Sequence, residues 1–224
     1  MPSWTSLRHD APMSTLFDSV PAGDPWEHTA VVGGRFEDDA QLALGFYQLA
    51  ELGVADWTTH APNDLLFVPI VYNHRHALEL VLKAAVREAA ARLRADGATD
   101  ASLDPATLDD ELAGTKPHSL ERLANKLEVL LDRLRLEQLP ATTRDKLRSL
   151  HQLDPHGETF RYSTVKAGKG KFDPARPTQE HIDVVALAEQ FREAFTLLSG
   201  GLLTVLDNYR EYQAEQARGA SLGI

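Results

Sequence analysis

The chain has 224 residues, 43% hydrophobic and 25% charged, which is typical of a soluble globular protein large enough to bury its own core. It contains no cysteine, which excludes a disulfide scaffold, a thiol nucleophile, an iron–sulfur cluster and a cysteine zinc site. Its net charge of −10 disfavours nonspecific coating of nucleic acid, although a local basic patch remains compatible with it.

Residues 1–36 predict an irregular N-terminal arm, because four prolines and a glycine pair interrupt any helical or strand period. Three aromatic residues could dock this arm: Trp4, Phe17 and Trp26. The arm lacks the apolar block of a signal peptide, and no apolar run in the chain is long enough to cross a bilayer. We therefore expect a cytoplasmic protein without membrane contact.

Apolar residues at helical spacing predict a first helix over about 37–53 and a second over about 63–95. Pro69 lies inside the second helix, where we expect a kink or a break. The following residues, 97–116, predict an acidic connector with one short helix around 106–112.

Leucines at spacings close to a heptad seam predict a third helix over about 119–137, with Ser119 as its N-cap. Thr142 or Thr143 is expected to cap a fourth helix that ends near residue 153. Thr178 is expected to cap a long C-terminal helix, with a bend or a close helix crossing at its glycine pair, Gly200–Gly201.

The segment over 158–172 interrupts the helical pattern. Its β-branched and aromatic residues, with glycines around Lys169, predict a small β-hairpin or a loop. The fold class that follows is all-α: an up-and-down bundle of about five helices with this inserted hairpin, forming one domain over 37–218.

The charge along the chain is uneven. Residues 96–115 hold six acidic residues and no basic one, whereas residues 144–176 hold eight basic residues against four acidic ones. The second stretch is therefore the candidate site for RNA or a nucleotide, with an ordinary solvated loop as the alternative.

Three blocks in order resemble the HEPN family, a helical bundle found in prokaryotic toxins, defence proteins and nucleotidyltransferase partners. Arg75 to Ala84 is similar to the family's long helix ending in a Lys-Ala step, and His118 to Leu123 is similar to the start of its next helix. Phe160-Arg-Tyr162 is similar to an Arg-Tyr step found late in many members. The resemblance covers about 65–215.

The HEPN resemblance implies a homodimer and, in many members, a metal-independent ribonuclease that uses an Arg and a His separated by four to six residues. Arg144 and His151 fit with six intervening residues, although they precede the Arg-Tyr block rather than follow it. Seven residues are close to two helical turns, so both side chains would share one face. A histidine can transfer the proton and a guanidinium can stabilise the phosphate. The alternative is a structural helix face.

The candidate binding residues are Arg75, His118, Arg161, Tyr162, Lys169 and Lys171. Aromatic residues that alternate with basic ones around Arg161 can stack single-stranded RNA, or they can pack a hairpin on the bundle. Glu79 is expected in an internal polar network, for which Arg161 is a candidate partner, and His118 in packing and capping. We expect no metal and no cofactor, because neighbouring helices lack a Glu-x-x-His set.

Two functions remain open. The first is a noncatalytic HEPN-like module, a homodimer that binds a partner protein, a nucleotide or RNA in a defence or toxin–antitoxin setting. The second is a metal-independent endoribonuclease that uses Arg144 and His151. The dimer is also expected from the C-terminal helix, which is longer than a small bundle can cover and carries apolar residues that would need a partner surface: Leu202, Leu203, Val205 and Leu206.

Overall fold

The computed structural model describes residues 30, 37–60, 63–114 and 118–221. The chain divides into two compact units, residues 1–38 and 39–224. The predicted N-terminal arm lies almost entirely outside the described residues, as do Trp4, Phe17 and Trp26.

The structure is mostly helical, at 72%, which confirms the all-α bundle with an inserted hairpin. The described residues form seven α-helices: α1 (Asp39–Thr59), α2 (Asp64–Ala95), α3 (Pro105–Ala113), α4 (Leu120–Arg133), α5 (Ala141–Leu153), α6 (Val184–Thr196) and α7 (Leu203–Ser221). A 3-10 turn (Ala101–Leu103) precedes α3, and a π-helical segment (Leu197–Leu202) joins α6 to α7. Strands β1 (Thr164–Gly168) and β2 (Lys171–Pro174) are antiparallel. Within these ranges no helix has the length and apolar character to cross a membrane.

Helix α2 forms the centre of the bundle. Fifteen of its 32 residues are buried, and it contacts α1, α4, α6 and α7. It runs without interruption through Pro69, so of the predicted kink or break the break is absent. The proline lies only six residues into the helix, and the carbonyl that loses its hydrogen bond belongs to Leu65, which is 83% exposed. Solvent can therefore satisfy that carbonyl.

The leucine seam of α4 packs into this core as its spacing predicts. Its buried leucines are Leu120, Leu123, Leu127, Leu130 and Leu131. The hydroxyl of Ser119 accepts a hydrogen bond from the backbone N–H of Arg122 at 3.2 Å, which confirms the predicted N-cap. The helix ends earlier than expected, because Arg135 adopts a left-handed backbone with φ of 56°.

Two predicted caps are wrong. Helix α5 begins after Pro140, which makes no side-chain capping bond, so neither Thr142 nor Thr143 caps it. Helix α6 begins after Asp183, whose carboxylate accepts from the N–H of Ala186 at 2.9 Å. Thr178 instead bonds the side chain of Glu180 at 3.3 Å. A carboxylate at the point where the apolar period resumes therefore sets the start of α6.

The C-terminal helix packs on its own bundle along one side. Leu202 and Leu206 are buried, and the hydroxyl of Tyr209 donates to Asp96 at the end of α2 at 2.8 Å. The predicted bend at the glycine pair is the π-helical segment, which lets the helix continue without a break. Of the four residues predicted to need a partner surface, Leu202 and Leu206 are covered by their own chain, whereas Leu203 is half-buried and Val205 is 45% exposed.

Candidate functional site

A buried ion network crosses the bundle between α2, the start of α4 and the turn after α5. Its centre is Arg75, only 3% exposed, whose Nε lies 2.9 Å from Oδ2 of Asp154, itself 1% exposed. The same guanidinium donates to the carbonyl of His118 at 2.7 Å and lies 3.3 Å from a carboxylate oxygen of Glu79. We call this cluster, with Lys83, the α2 ion network.

The Glu79 carboxylate stays ionised inside the α2 ion network. Nζ of Lys83 donates to it at 2.9 Å, and Nδ1 of His118 lies 2.9 Å from the same oxygen. Burial raises the pKa of Glu79, but Lys83 and His118 outweigh it and hold that pKa below its ordinary value. The expected internal polar network is therefore present, with Arg75, Lys83 and His118 as the partners of Glu79 in place of Arg161.

The α2 ion network also fixes the turn that follows α5. The second carboxylate oxygen of Asp154 accepts from the N–H groups of Glu158 at 2.8 Å and Thr159 at 3.0 Å. Gly157 has φ of 73°, and a Cβ there would lie 2.9 Å from Cβ of His118. Only glycine fits this position without displacing His118. The turn therefore positions the residues that follow it, including Arg161, beside α2.

Arg161 lies exposed between two aromatic rings. Its guanidinium carbon is 5.3 Å from the ring centre of Tyr72 and 6.0 Å from that of Tyr162. Beneath it, His76 stacks on Tyr72 with ring centres 5.7 Å apart. Burial, aided by the charges of Arg161 and Lys83, lowers the pKa of His76 despite the nearby Glu79. The imidazole is therefore neutral near pH 7, and Arg161 carries the positive charge of this surface.

The hairpin follows Arg161 and Tyr162 in the chain. Lys166, Lys169 and Lys171 are exposed, and Lys166 lies opposite the exposed Phe172 in the ladder, which places both on one side of the ribbon. Lys171 precedes Phe172 in β2 and therefore points to the other side. Within the described ranges, no cation from Arg161 to Arg176 lies within 4 Å of a carboxylate. We use the name hairpin face for Tyr72 together with the exposed basic and aromatic residues from both sides of this segment: Arg161, Tyr162, Lys166, Lys169, Lys171 and Phe172.

Arg144 and His151 share the face of α5 that meets α4. Nε of Arg144 donates to Glu128 at 2.8 Å, and Nε2 of His151 lies 3.5 Å from Glu121. The two carboxylates are also seven residues apart, on a helix that packs against α5. The Arg–His spacing therefore matches a ladder of interhelical ion pairs. Both side chains are therefore engaged by carboxylates of α4.

Sequence reasoning missed a second polar group, formed by the buried His74 with the partly exposed Glu51 and Arg192. Nε2 of His74 lies 3.7 Å from Glu51, and Nη2 of Arg192 donates to Glu51 at 2.7 Å. The imidazole stacks on Phe191 with ring centres 4.9 Å apart. Burial, with the charge of Arg192, lowers the pKa of His74 to about 4. The sequence signal that could have revealed this group is one polar residue within or beside the apolar face of each of three helices.

Among the described residues no group of three or more His, Asp or Glu side chains could hold a metal ion. An open groove of about 340 Å³ lies between α5 and α6. Its base is Leu78 of α2, its walls are mostly leucines and Phe191, and four polar residues also line it: Asp145, Lys146, Ser149 and Gln190.

No protein-family model, no curated protein and no solved structure matches this chain.

Proposed function

We propose that this chain is a HEPN-like helical module that binds single-stranded RNA on the hairpin face. The observation that carries the proposal is that five basic residues between Arg161 and Arg176 have no carboxylate partner in the described part of the chain, although the chain as a whole is acidic. Such cations are available to phosphates, whose binding releases counterions.

The aromatic residues of the hairpin face supply the second requirement for single strands. Tyr162 and Phe172 are exposed, and Arg161 is held beside Tyr72. Unstacked bases pack on aromatic rings and guanidinium planes, whereas bases in a duplex are not accessible in this way. The acidic surface elsewhere would repel the backbone and confine RNA to this face.

The ion pairs of Arg144 and His151 support binding over cleavage. A catalytic guanidinium must be open to the phosphate, and a catalytic imidazole must reach the transferred proton. Here Glu128 holds the guanidinium and Glu121 lies beside the imidazole. The ribonuclease alternative would need both side chains to leave α4 when RNA binds, so binding without cleavage is the function we propose.

The test is fluorescence anisotropy with a labelled single-stranded RNA of about 20 nucleotides, titrated between 50 and 200 mM salt. The triple variant Lys166→Ala, Lys169→Ala, Lys171→Ala should weaken binding and flatten the log K against log salt slope by about 2, since each phosphate contact on a single strand contributes about 0.7. Phe172→Ala should weaken binding by about 1–3 kcal/mol with the slope unchanged.

The matched control removes three exposed cations that already have carboxylate partners: Arg122, Arg148 and Arg210. It changes the net charge by the same amount as the lysine triple variant. Because the three cations lie outside the hairpin face, their removal should leave most of the affinity intact. No binding by the wild type, or equal losses in the two triple variants, would refute the proposal. The same samples, run on a denaturing gel in EDTA, should contain intact RNA. Cleavage that His151→Ala abolishes would establish the ribonuclease alternative instead.

A further inference from the structure

Four polar or aromatic residues of α2 form a stripe that faces the start of α4 and the turn after α5. At 3.6 residues per turn, they fall within about 60° of one another around the helix axis: Tyr72, His76, Glu79 and Lys83. His118 lies at the Glu79 end, with Nδ1 2.9 Å from that carboxylate. Arg161 lies at the other end, where its guanidinium donates to the hydroxyl of Tyr72 at 3.4 Å. We call these four residues the α2 stripe.

The positive charge at the Arg161 end of the α2 stripe is uncompensated. In the adjoining α2 ion network, Arg75 and Lys83 balance the two carboxylates, which belong to Glu79 and Asp154. Arg161 adds a further cation that is exposed and has no carboxylate within 4 Å in the described part of the chain. An anion that reaches this guanidinium therefore gains an ion pair without breaking one.

His76 places a proton acceptor beside this cation. Its half-buried ring stacks on Tyr72 with centres 5.7 Å apart and meets the edge of Phe46 of α1 at 4.4 Å. Its Nδ1 is buried and has no hydrogen-bond partner among the described residues. A neutral imidazole held in this way costs the fold nothing when it later gains a charge-assisted partner.

The charges around His76 keep the imidazole neutral while the site is empty. Burial lowers its pKa, and the cations of Arg161 and Lys83 lower it further against the opposing effect of Glu79. His118, before α4, is the other titratable group that faces it, and the contact from α1 is an uncharged phenyl ring. Negative charge brought to Arg161 acts in the opposite sense to these cations, so it favours the imidazolium.

We propose that Arg161, with His76 beside it, binds a phosphomonoester, either at the end of an RNA strand or on a free nucleotide. A phosphomonoester carries a charge of about −1.5 to −2 at pH 7, more than a phosphodiester within a strand. An unpaired guanidinium next to an imidazole that can accept a proton favours the more negative group. The adjacent base can stack on Tyr162, which is 52% exposed and has its ring centre 6.0 Å from the guanidinium carbon. Recognition of an RNA end rests on the proposed function, whereas recognition of a free nucleotide does not.

The first test compares ligands that differ only in a terminal phosphate. In competition with the labelled RNA, an RNA of about 10 nucleotides with a 5′- or a 3′-phosphate should displace the label about tenfold better than the same RNA with hydroxyl ends. Titration calorimetry compares uridine 5′-monophosphate with uridine and does not require RNA binding. A preference in either experiment supports the proposal and identifies the source of the phosphate. Equal competition by the three RNAs, together with no binding of the monophosphate, would overturn it. Loss of RNA binding with the monophosphate still bound would refute the proposed function alone.

The second test uses variants that separate this site from the lysines of the hairpin. Arg161→Ala should abolish the preference for the phosphate, whereas the triple variant Lys166→Ala, Lys169→Ala, Lys171→Ala should weaken all three RNAs alike and keep their ratio. Arg148→Ala removes an exposed cation that is paired with Asp145 and is the matched control, which should leave the ratio unchanged. A phosphate preference that survives in Arg161→Ala with normal helical content would overturn the proposal.

The third test is a pH profile that an arginine acting alone would not produce. Because the bound phosphate favours the imidazolium of His76, binding takes up a proton. The affinity for the monophosphate should therefore rise as the pH falls from 8 to 6.5, by less than tenfold per pH unit for one proton. This range lies above the second pKa of a phosphomonoester, about 6, so the charge of the ligand changes little. His76→Phe keeps an aromatic ring in place and should remove the rise. A flat profile in the wild type, or a rise that persists in His76→Phe, would contradict the role of this imidazole.

Discussion

The acidic connector before α4 and the basic hairpin segment before α6 are both runs of like charge, but only the charges of the connector are paired with opposite charges in the structure. In residues 96–114, Asp100 pairs with Arg133 at 2.7 Å, Asp109 with Arg87 at 2.8 Å, and Glu111 with Lys126 at 2.5 Å. The cations of residues 158–176 have no such partners within the described ranges. A charge run therefore indicates an interaction surface only when the fold leaves it uncompensated.

This difference in ion pairing arises because the two segments bury different amounts of apolar side chain in the core. The connector buries Leu103, Leu108 and Leu112 in the core, which presses its carboxylates onto the basic residues of α2 and α4. The hairpin buries almost nothing: of its nine strand residues, only Val165 is half-buried. The hairpin is held only at its base, which we call its root: the turn after α5 that Asp154 and Arg75 fix.

The largest expected effect comes from breaking that root. Asp154→Ala should lower the free energy of unfolding by about 3–5 kcal/mol, because it leaves the buried Arg75 without its closest carboxylate and frees two backbone N–H groups. Urea unfolding followed by circular dichroism measures the change. Asp173→Ala on the exposed β2 should be close to neutral. If the two variants were equally stable, the root would not hold the hairpin.

The pH dependence of stability should arise in the core and leave the hairpin unaffected. The pKa of His74 is about 4 in the folded chain and near 6.5 when unfolded, so the unfolded chain binds more protons between these values. Stability should therefore be complete above pH 6.5 and fall by about 3 kcal/mol as the pH drops toward 4. Unfolding free energies at pH 7, 5.5 and 4.5 test this.

A control variant separates the contribution of His74 to the pH dependence from that of carboxylates, which titrate at lower pH. His74→Leu removes the imidazole from a place where neither ring nitrogen has a hydrogen-bond partner among the described residues. It should reduce the dependence between pH 6.5 and 5, where Asp and Glu side chains are still ionised, and leave the contribution of His76, whose pKa burial also lowers. A wild-type slope that persists in this variant would assign the effect to another group.

The smallest expected effect on stability comes from removing the ion pairs that the acidic connector makes with α2 and α4. Asp109→Asn with Glu111→Gln should lower the free energy of unfolding by only about 0–1 kcal/mol per pair, since these pairs lie at the surface and are partly exposed. The net charge changes from −10 to −8, and Arg122 and Lys126 lose their carboxylate. If compensation is what distinguishes the two regions, this variant should bind RNA more tightly than wild type in the anisotropy assay. Unchanged affinity would contradict that distinction.

The parts of the fold that sequence predicted are those set by local pattern. The apolar periods of α2 and α4, the Ser119 cap and the hairpin follow from residues close together in the chain. The cap of α6 was missed, because Thr178 and Asp183 are both good capping residues and tertiary packing selects between them. A kink or a break was expected at Pro69 and no break is seen, because the exposure of Leu65 at the start of the helix depends on the fold.

The candidate site was harder to predict, because ion pairing depends on partners distant in sequence. Arg75 and Asp154 are 79 residues apart, and Arg192 and Glu51 are 141 apart. The seven-residue spacing of Arg144 and His151 shows the same limit. A period of seven is equally suited to a catalytic pair and to a ladder with Glu121 and Glu128, and only the position of α4 distinguishes them.

The turn at Gly157 has a consequence for recognising related chains. Its left-handed backbone and its contact with His118 mean that glycine at 157, histidine at 118 and arginine at 75 form one geometric requirement. Glu79 and Asp154 complete the charge balance around that arginine. A sequence that preserves Arg-x-x-x-Glu on a helix like α2, a histidine just before α4 and Asp-x-x-Gly just after α5 can be expected to share this fold. Such a pattern can identify relatives even where overall sequence similarity has been lost.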